Sequence, residues 1–479
     1  MVRSEASVNP DETVFDTQHW ALTLGIILGV TLTAFEALAI VTIAPTISKS
    51  LDGTQLYGWI FSGFMLASLL GTVLGGQQAD AHGPGRPFGA GLVLLGAGLL
   101  ISGFAPSMFL LIVGRVVQGL GGGALVTALY AAVNVSYSDA LRPRLIALMS
   151  SAWVVPALIG PAVAGFLAEQ FGWRIVFWGL VPLLAVVLIL AMPSFRQGAV
   201  TGQAKNGSEE ESKGTSILAA LGLVAGTGLL LWGLGEENLL LALVAVAVGC
   251  VLALISLRPL TPKGTLRLVA GLPAIVASRG LFYAAFVGVQ AFLALMLVDV
   301  HGFSSSVTGV AIASGALSWT AGSWLQDRLD NRRGAAGRHL RILLGTAILG
   351  VGLAVQIAAL FTDFGPLALS IGGWIIAGLG IGLAHATSSV MAFALAPEGQ
   401  EGAVASSLQL ADQFTAAVST GMGGALFAYA LNANQGQQTG IFYAYGLSLV
   451  FAALAVWAAY RIGWADAKQG AGAEVSWQE

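Results

Sequence analysis

Residues 20–47 read WALTLGIILGVTLTAFEALAIVTIAPTI, an apolar run in which Glu36 is the only charge. The hydrocarbon core of a bilayer is about 30 Å thick, and a helix needs about 20 apolar residues to cross it. No water is present there, so only helices and closed barrels satisfy their own backbone groups. A barrel strand needs only about 10 residues, which this run far exceeds. The stretch is therefore a membrane-spanning helix with a carboxyl group in its middle. Thirteen more runs follow, at 57–79, 87–105, 107–132, 145–167, 172–192, 215–235, 238–257, 272–298, 304–325, 340–361, 366–394, 402–430 and 438–461. Composition agrees, since 56% of residues are hydrophobic and only 9% are charged. The fold class expected is an all-α membrane protein with 14 transmembrane helices.

The basic residues orient the spans. One alternate set of segments, taken with the nearby helix ends Arg279 and Arg341, holds 18 of the 21 lysines and arginines. Lys49 and Arg174 lie on the other side, and Arg115 falls within a span. The positive-inside rule places the 18 in the cytoplasm, with both termini. Residues 1–19 carry Glu5, Asp11, Glu12 and Asp16 where a signal peptide would be basic, so the first run reads as a retained helix. Cys250 is the only cysteine and offers no internal disulfide. A multi-pass protein of the cell membrane is expected, acting as a monomer, with membrane lipids around it and no nucleic-acid partner.

The chain echoes itself. Gly76-Gln-Gln-Ala-Asp80 follows the second span, and Ser323-Trp-Leu-Gln-Asp327-Arg328 follows the second of the last six. Two related six-helix bundles are expected, at 20–192 and 272–461, with two inserted helices at 215–257. The acidic segment 193–214 reads as a cytoplasmic linker, and 1–19 and 462–479 as cytoplasmic ends. Repeated bundles around a midplane site are the usual build of secondary transporters. Glycines four apart, such as Gly25/Gly29 and Gly71/Gly75, fit close helix packing, and so does the run Gly378-Leu-Gly380-Ile-Gly382.

Five motifs lie in order along these spans. Phe35-Glu36-Ala-Leu-Ala-Ile-Val-Thr-Ile-Ala-Pro45 is followed by Asp80, Gly83 and Arg86 in the loop after the second span. Then come Leu111-Ile-Val-Gly-Arg115-Val-Val-Gln118-Gly119-Leu-Gly121, Gly160-Pro161-Ala-Val-Ala-Gly165, and Trp173-Arg174-Ile-Val-Phe-Trp178 with Pro182. Together they resemble the major facilitator superfamily, in its fourteen-helix drug:proton antiporter branch. The resemblance implies two bundles that rock around a central site, protons as the coupling ion with no other cofactor, a gating motif at Gly76, Asp80, Gly83, Arg86, Asp327 and Arg328, and an antiporter motif at Gly160, Pro161 and Gly165. Three positions depart from the branch. Glu36 stands where it has aspartate, Ala81 where the loop has arginine, and Asp412 where the penultimate span often has arginine.

The charges within the spans are the candidate site. A charged residue at helix centre costs about 2.5–3.5 kcal/mol on insertion scales, so such residues face a bundle interior or a wet cavity. Burial disfavours the charged form of a carboxylic acid, which suits it to take up and release protons. Glu36, Asp412 and Arg115 are the proton-coupling candidates; His385, which titrates near neutral pH when unperturbed, joins them in a cavity with Phe292, Trp319 and Gln409. Asp299, near the outer end of its span, reads as an interfacial charge, and Glu236 and Glu237 as facing water. The function expected is export of lipophilic small molecules, cationic ones included, by proton-coupled alternating access. A lipid or glycolipid exporter of the same fold is the alternative. No catalytic residue and no metal site is expected. The chain has no G-x-x-x-x-G-K-[ST] loop for ATP, no H-E-x-x-H pair and no G-x-S-x-G serine.

Overall fold

Apolar runs that must satisfy their own backbones become helices, and the structure, a computed structural model, shows them in order. It describes residues 13–16, 19–138, 141–198, 210–397 and 400–469. The helices are α1 (Trp20–Ser50), α2 (Trp59–His82), α3 (Gly85–Gly103), α4 (Met108–Ser136), α5 (Arg142–Ser151), α6 (Val154–Phe171), α7 (Arg174–Gly198), α8 (Glu210–Gly233) and α9 (Leu239–Leu257). Then follow α10 (Leu272–Leu295), α11 (Ser305–Arg333), α12 (Arg338–Phe361), α13 (Pro366–Ala394), α14 (Glu401–Asn432) and α15 (Gln437–Gln469). The pair α5 and α6 is one crossing, broken at Ala152–Trp153. Pro156 explains the break, because it has no N–H to give the Ala152 carbonyl. Fourteen crossings bring the chain back to the face it started from, called here the terminal face; the opposite one is the far face.

Several boundaries differ from the sequence expectation. The α11 helix runs eight residues past 325, so the loop expected at 326–339 shrinks to the turn between Arg333 and Arg338. Residues 193–198 and 210–214 of the expected linker are helical, in α7 and α8. The rest of that linker, 199–209, lies outside the described residues, as do Arg3, Glu5, Asp11, Glu12 and Lys205. Among the described residues, twelve helices could cross a membrane by length and composition alone, with α8 and α11 falling short. The shortfall of α11 is explained by packing, because this Gly-, Ser- and Thr-rich helix lies between α13 and α6 and turns much of its surface to protein.

The two halves repeat one packing scheme. In the first, α2 and α3 pack on α4, α3 on α7, and α1 on α6 and α7. In the second, α11 and α12 pack on α13, α12 on α15, and α10 on α14 and α15. Glycine explains the tightest contacts. A Cβ on Gly119 or Gly123 of α4 would stand 2.2 or 2.0 Å from the Phe64 or Ser68 carbonyl of α2. In the second half a Cβ on Gly382 would stand 2.1 Å from the Trp319 carbonyl, and one on Gly378 2.3 Å from that of Gly315. The glycine run in α13 is therefore packing, with Gly380 against α12. The inserted helices sit at the periphery. The α9 helix packs on α8, and α8 lies over the seam where α2 of one half meets α14 of the other.

Candidate functional site

Glu36 sits near the middle of α1 with 2% of its surface exposed, and Arg115 of α4 pairs with its Oε1. The rest of the Arg115 guanidinium is also placed. It donates to the side chain of Gln118, one turn on along α4, and through Nε to the Ile60 carbonyl of α2 at 3.1 Å. It lies over the Phe64 ring at 4.3 Å, while Gln118 Nε2 donates to Ser102 of α3 at 2.9 Å. This network ties α1 to α2, α3 and α4. One atom is left over: Glu36 Oε2 is buried and has no hydrogen-bond partner among the described residues.

The second half holds a counterpart. Arg279 of α10 grips Asp412 of α14, its Nε 3.0 and 3.1 Å from the two carboxylate oxygens and Nη2 2.8 Å from Oδ2. Nη1 donates to Ser389 of α13 at 2.6 Å, and Nη2 lies 2.7 Å from His385 Nε2. The His385 ring stands among Trp319 at 5.2 Å, Tyr283 at 6.1 Å and Phe282 at 6.3 Å between centroids. Arg279 thus corrects the sequence reading, which put it at a basic helix end. It is 6% exposed and about 10 Å along its helix, at 1.5 Å per residue. Pro273 in the first helical turn marks that start and was the available signal.

The other expected residues divide. His385 and Trp319 join the Arg279–Asp412 cluster, and half-buried Gln409 lies one turn before Asp412 on the same face of α14. Phe292 does not line an open cavity. It is fully buried against Tyr57 and Phe427, where the halves meet near the far face. Asp299 is not a wet interfacial charge either. Its side chain is 1% exposed, on a π-helical turn that ends α10, and pairs with Lys49 of α1 at 2.7 Å.

Lys49–Asp299 is one of several bonds that close the far face between the halves. Gln55 Nε2 donates to Asn432 at 2.8 Å, and the Tyr57 hydroxyl to the Ala291 carbonyl at 2.9 Å. Glu169 of α6, which the sequence reading did not single out, accepts from the Ser306 N–H and hydroxyl at 2.9 and 2.7 Å, at the start of α11. The Gly160, Pro161, Gly165 motif makes the same seam: a Cβ on Gly165 would stand 2.5 Å from the Ser305 carbonyl, and one on Gly309 2.5 Å from that of Pro161. Toward mid-membrane, Gln413 Nε2 lies 3.3 Å from the hydroxyls of Ser68 and Thr72.

At the terminal face the gating motif is unlatched. Asp80 and Arg86 are exposed and hold no ion pair among the described residues, while Gly83 turns the chain at φ +78° and Gly76 packs toward Thr127. The echo at Asp327 is out of step: it lies seven residues before the cap Gly334, whereas Asp80 lies three before Gly83. Asp327 and Arg328 are exposed, and the structured acid there is Asp330, held by Arg338 at 2.8 Å and by Arg341.

Paired six-helix bundles, buried arginine–carboxylate pairs and a far-face seam now stand together. A family model described as Major Facilitator Superfamily matches residues 26–420. The chain belongs to the major facilitator superfamily. It is a transporter rather than an enzyme, and a multi-pass membrane protein. A probable multidrug-efflux transporter of Mycobacterium tuberculosis is 26% identical over 94% of this chain and 98% of its own. An acurin A biosynthesis cluster MFS-type transporter of Aspergillus aculeatus is 29% identical over 47% of this chain, a match that spans 39% of that protein. Among solved structures, the POT family transporter PepTSo aligns with a TM-score of 0.67 at 15% identity, covering 92% of this chain and 98% of that one. A D-xylose–proton symporter aligns at 0.64 and 13% identity, over 93% and 98%. These likenesses carry the fold.

Proposed function

We propose that this superfamily member exports lipophilic small molecules across the cell membrane in exchange for protons. Efflux is supported by the names of the M. tuberculosis relatives, one of which aligns over 94% of this chain. Proton coupling rests on one observation: each half holds a buried arginine–carboxylate pair, Glu36–Arg115 and Arg279–Asp412, where an idle charge is costly to keep. The terminal face is cytoplasmic, because the basic residues gather there. Bonds join the halves at the far face while Asp80 holds no ion pair among the described residues at the other, which supports a state closed to the outside; rocking the halves about the central site parts the far-face seam and exposes the site outside. Glu36 carries the coupling proton on Oε2, with Arg115 holding Oε1 and sensing its charge. Asp412, held by Arg279, takes part in coupling in the second half.

The test is uptake into inverted vesicles driven by a pH gradient, with ethidium as the probe. Glu36→Gln is expected to keep ethidium binding and lose gradient-driven uptake, and Asp412→Asn to lose less. Full gradient-driven uptake by folded Glu36→Gln protein overturns the assignment.

A further inference from the structure

The contacts of His385 bear on its protonation state. Nε2 lies 2.7 Å from Arg279 Nη2 and 3.3 Å from Asp412 Oδ2. A guanidinium only donates, and an ionised carboxylate only accepts. At 2.7 Å from the guanidinium, Nε2 is an acceptor without a proton, so the ring is neutral with its hydrogen on Nδ1. The longer distance to Asp412 fits, since an unprotonated Nε2 has nothing to give a carboxylate. We propose that His385 is a second proton-carrying residue of this transporter, and that its proton changes which partner it holds. A proton added to Nε2 turns that nitrogen into a donor. It then bonds Asp412 Oδ2 and can no longer accept from Arg279. No other bond forms or breaks, and the proton returns to water by the reverse step.

The consequence is mechanical. Deprotonated, α13 is tied to α10 through His385 and Ser389 on Arg279. Protonated, α13 keeps Ser389 on Arg279 but moves its His385 bond from α10 to Asp412 of α14. The inference rests on the export reading above but places the second proton on the histidine, because the Asp412 carboxylate is already held at both oxygens by Arg279. The groups that bear on the ring are few. Arg279 and Tyr283 face it from α10, Asp412 from α14, and the uncharged Trp319 from α11. On α12, Arg341 reaches α13 only through Gln326 and Thr387. From the other half, Tyr130 of α4 lies within electrostatic reach of Arg279. His385 has 23% of its side chain exposed, against 2% for Glu36, so it is the wetter of the two proton sites in this state.

The experiment needs no transport. Trp319 sits 5.2 Å from the His385 ring, where an imidazolium quenches indole emission. The purified protein is titrated between pH 5 and 8, and the Trp319→Phe signal is subtracted to remove the other tryptophans. The wild type is expected to show one sigmoidal quench on acidification. His385→Gln should lose it, Asp412→Asn should move its midpoint to lower pH, and Arg279→Gln should move it higher. Glu36→Gln should leave it in place, so the export reading can fail without this one failing. A quench that persists in His385→Gln overturns the proposal. If that variant does not fold, a midpoint that ignores both Asp412→Asn and Arg279→Gln overturns it equally.

Discussion

At the scale of single residues, a guanidinium keeps its charge at any physiological pH, so the fixed point in each half is an arginine and the variable one is its partner. Breaking a buried ion pair leaves an uncompensated charge and costs about 3–5 kcal/mol, whereas replacing both partners with apolar groups is often neutral. Arg279→Leu is therefore expected to lower the thermal unfolding midpoint sharply in detergent, and Arg279→Leu with Asp412→Leu to recover most of it without recovering coupling. Equal destabilisation of the single and double variants would show that the pair is not the reason Arg279 is needed. The sequence displayed one of the two pairs in full. Glu36 stands alone in an apolar run and Arg115 lies inside a motif, so both were visible. Arg279 was not, because it lies close enough to a basic loop to pass for part of it; the Pro273 helix start and the burial of its side chain separate it from Arg267. Asp299 was misread for the same reason, since position near a helix end does not reveal that another helix covers it.

At the scale of elements, the helix caps and seams decide what can move. The Arg338 hydrogen bonds, and after them those of Arg341, hold the Asp330 carboxyl below its ordinary range at the α11–α12 turn, outside the apolar span. A depressed acid stabilises the fold above its unfolded value of about 3.9, and that contribution is lost as pH falls through the lower folded value. Asp330→Asn should thus unfold earlier than wild type at pH 7, and the gap should close as the pH is lowered below about 4. A gap that stays constant down to pH 3 would mean the aspartate acts by shape. On the far face, Glu169 meets the first turn of α11, where the helix dipole favours an anion, and Gly165 lets the two backbones touch. Gly165→Ala puts a methyl group within 2.5 Å of a carbonyl oxygen and should push the population away from the far-face-closed state. Spin-label distances across that face would read the change, and unaltered distances would refute it. The motif was legible as a pattern; that it works as a joint between halves was not, because the partner helix α11 lies more than a hundred residues away and a run read as a span does not show which helix it packs on.

At the scale of the whole molecule, the number of crossings followed from apolar run lengths, because a bilayer admits only helices and closed barrels, while the two halves were read from the echo of Asp80 at Asp327. What run lengths do not carry is which faces are joined. The structure joins the halves at the far end, through Lys49–Asp299, Gln55–Asn432, Tyr57–Ala291 and Glu169–Ser306, and leaves Asp80 unlatched at the other. The two buried pairs are staggered to match. Arg115 lies about 10 Å from the far end of α4, and Arg279 about 10 Å from the terminal end of α10, each seven residues into its helix. In the proposed cycle, parting the far-face seam brings the Glu36–Arg115 pair toward the outside, and closing it returns the Arg279–Asp412 pair to the terminal side. If that motion is the transport cycle, holding the far face shut must stop it. Gln55 and Asn432 are exposed, belong to opposite halves and touch at 2.8 Å, so cysteines at both, in a chain with Cys250 replaced by serine, are placed for a short, reductant-cleavable cross-linker. Cross-linking is expected to abolish gradient-driven ethidium uptake, cleavage by reductant to restore it, and each single-cysteine protein to be unaffected by the reagent. Full uptake by the cross-linked protein would mean that the far face need not open, and that substrate leaves by another path.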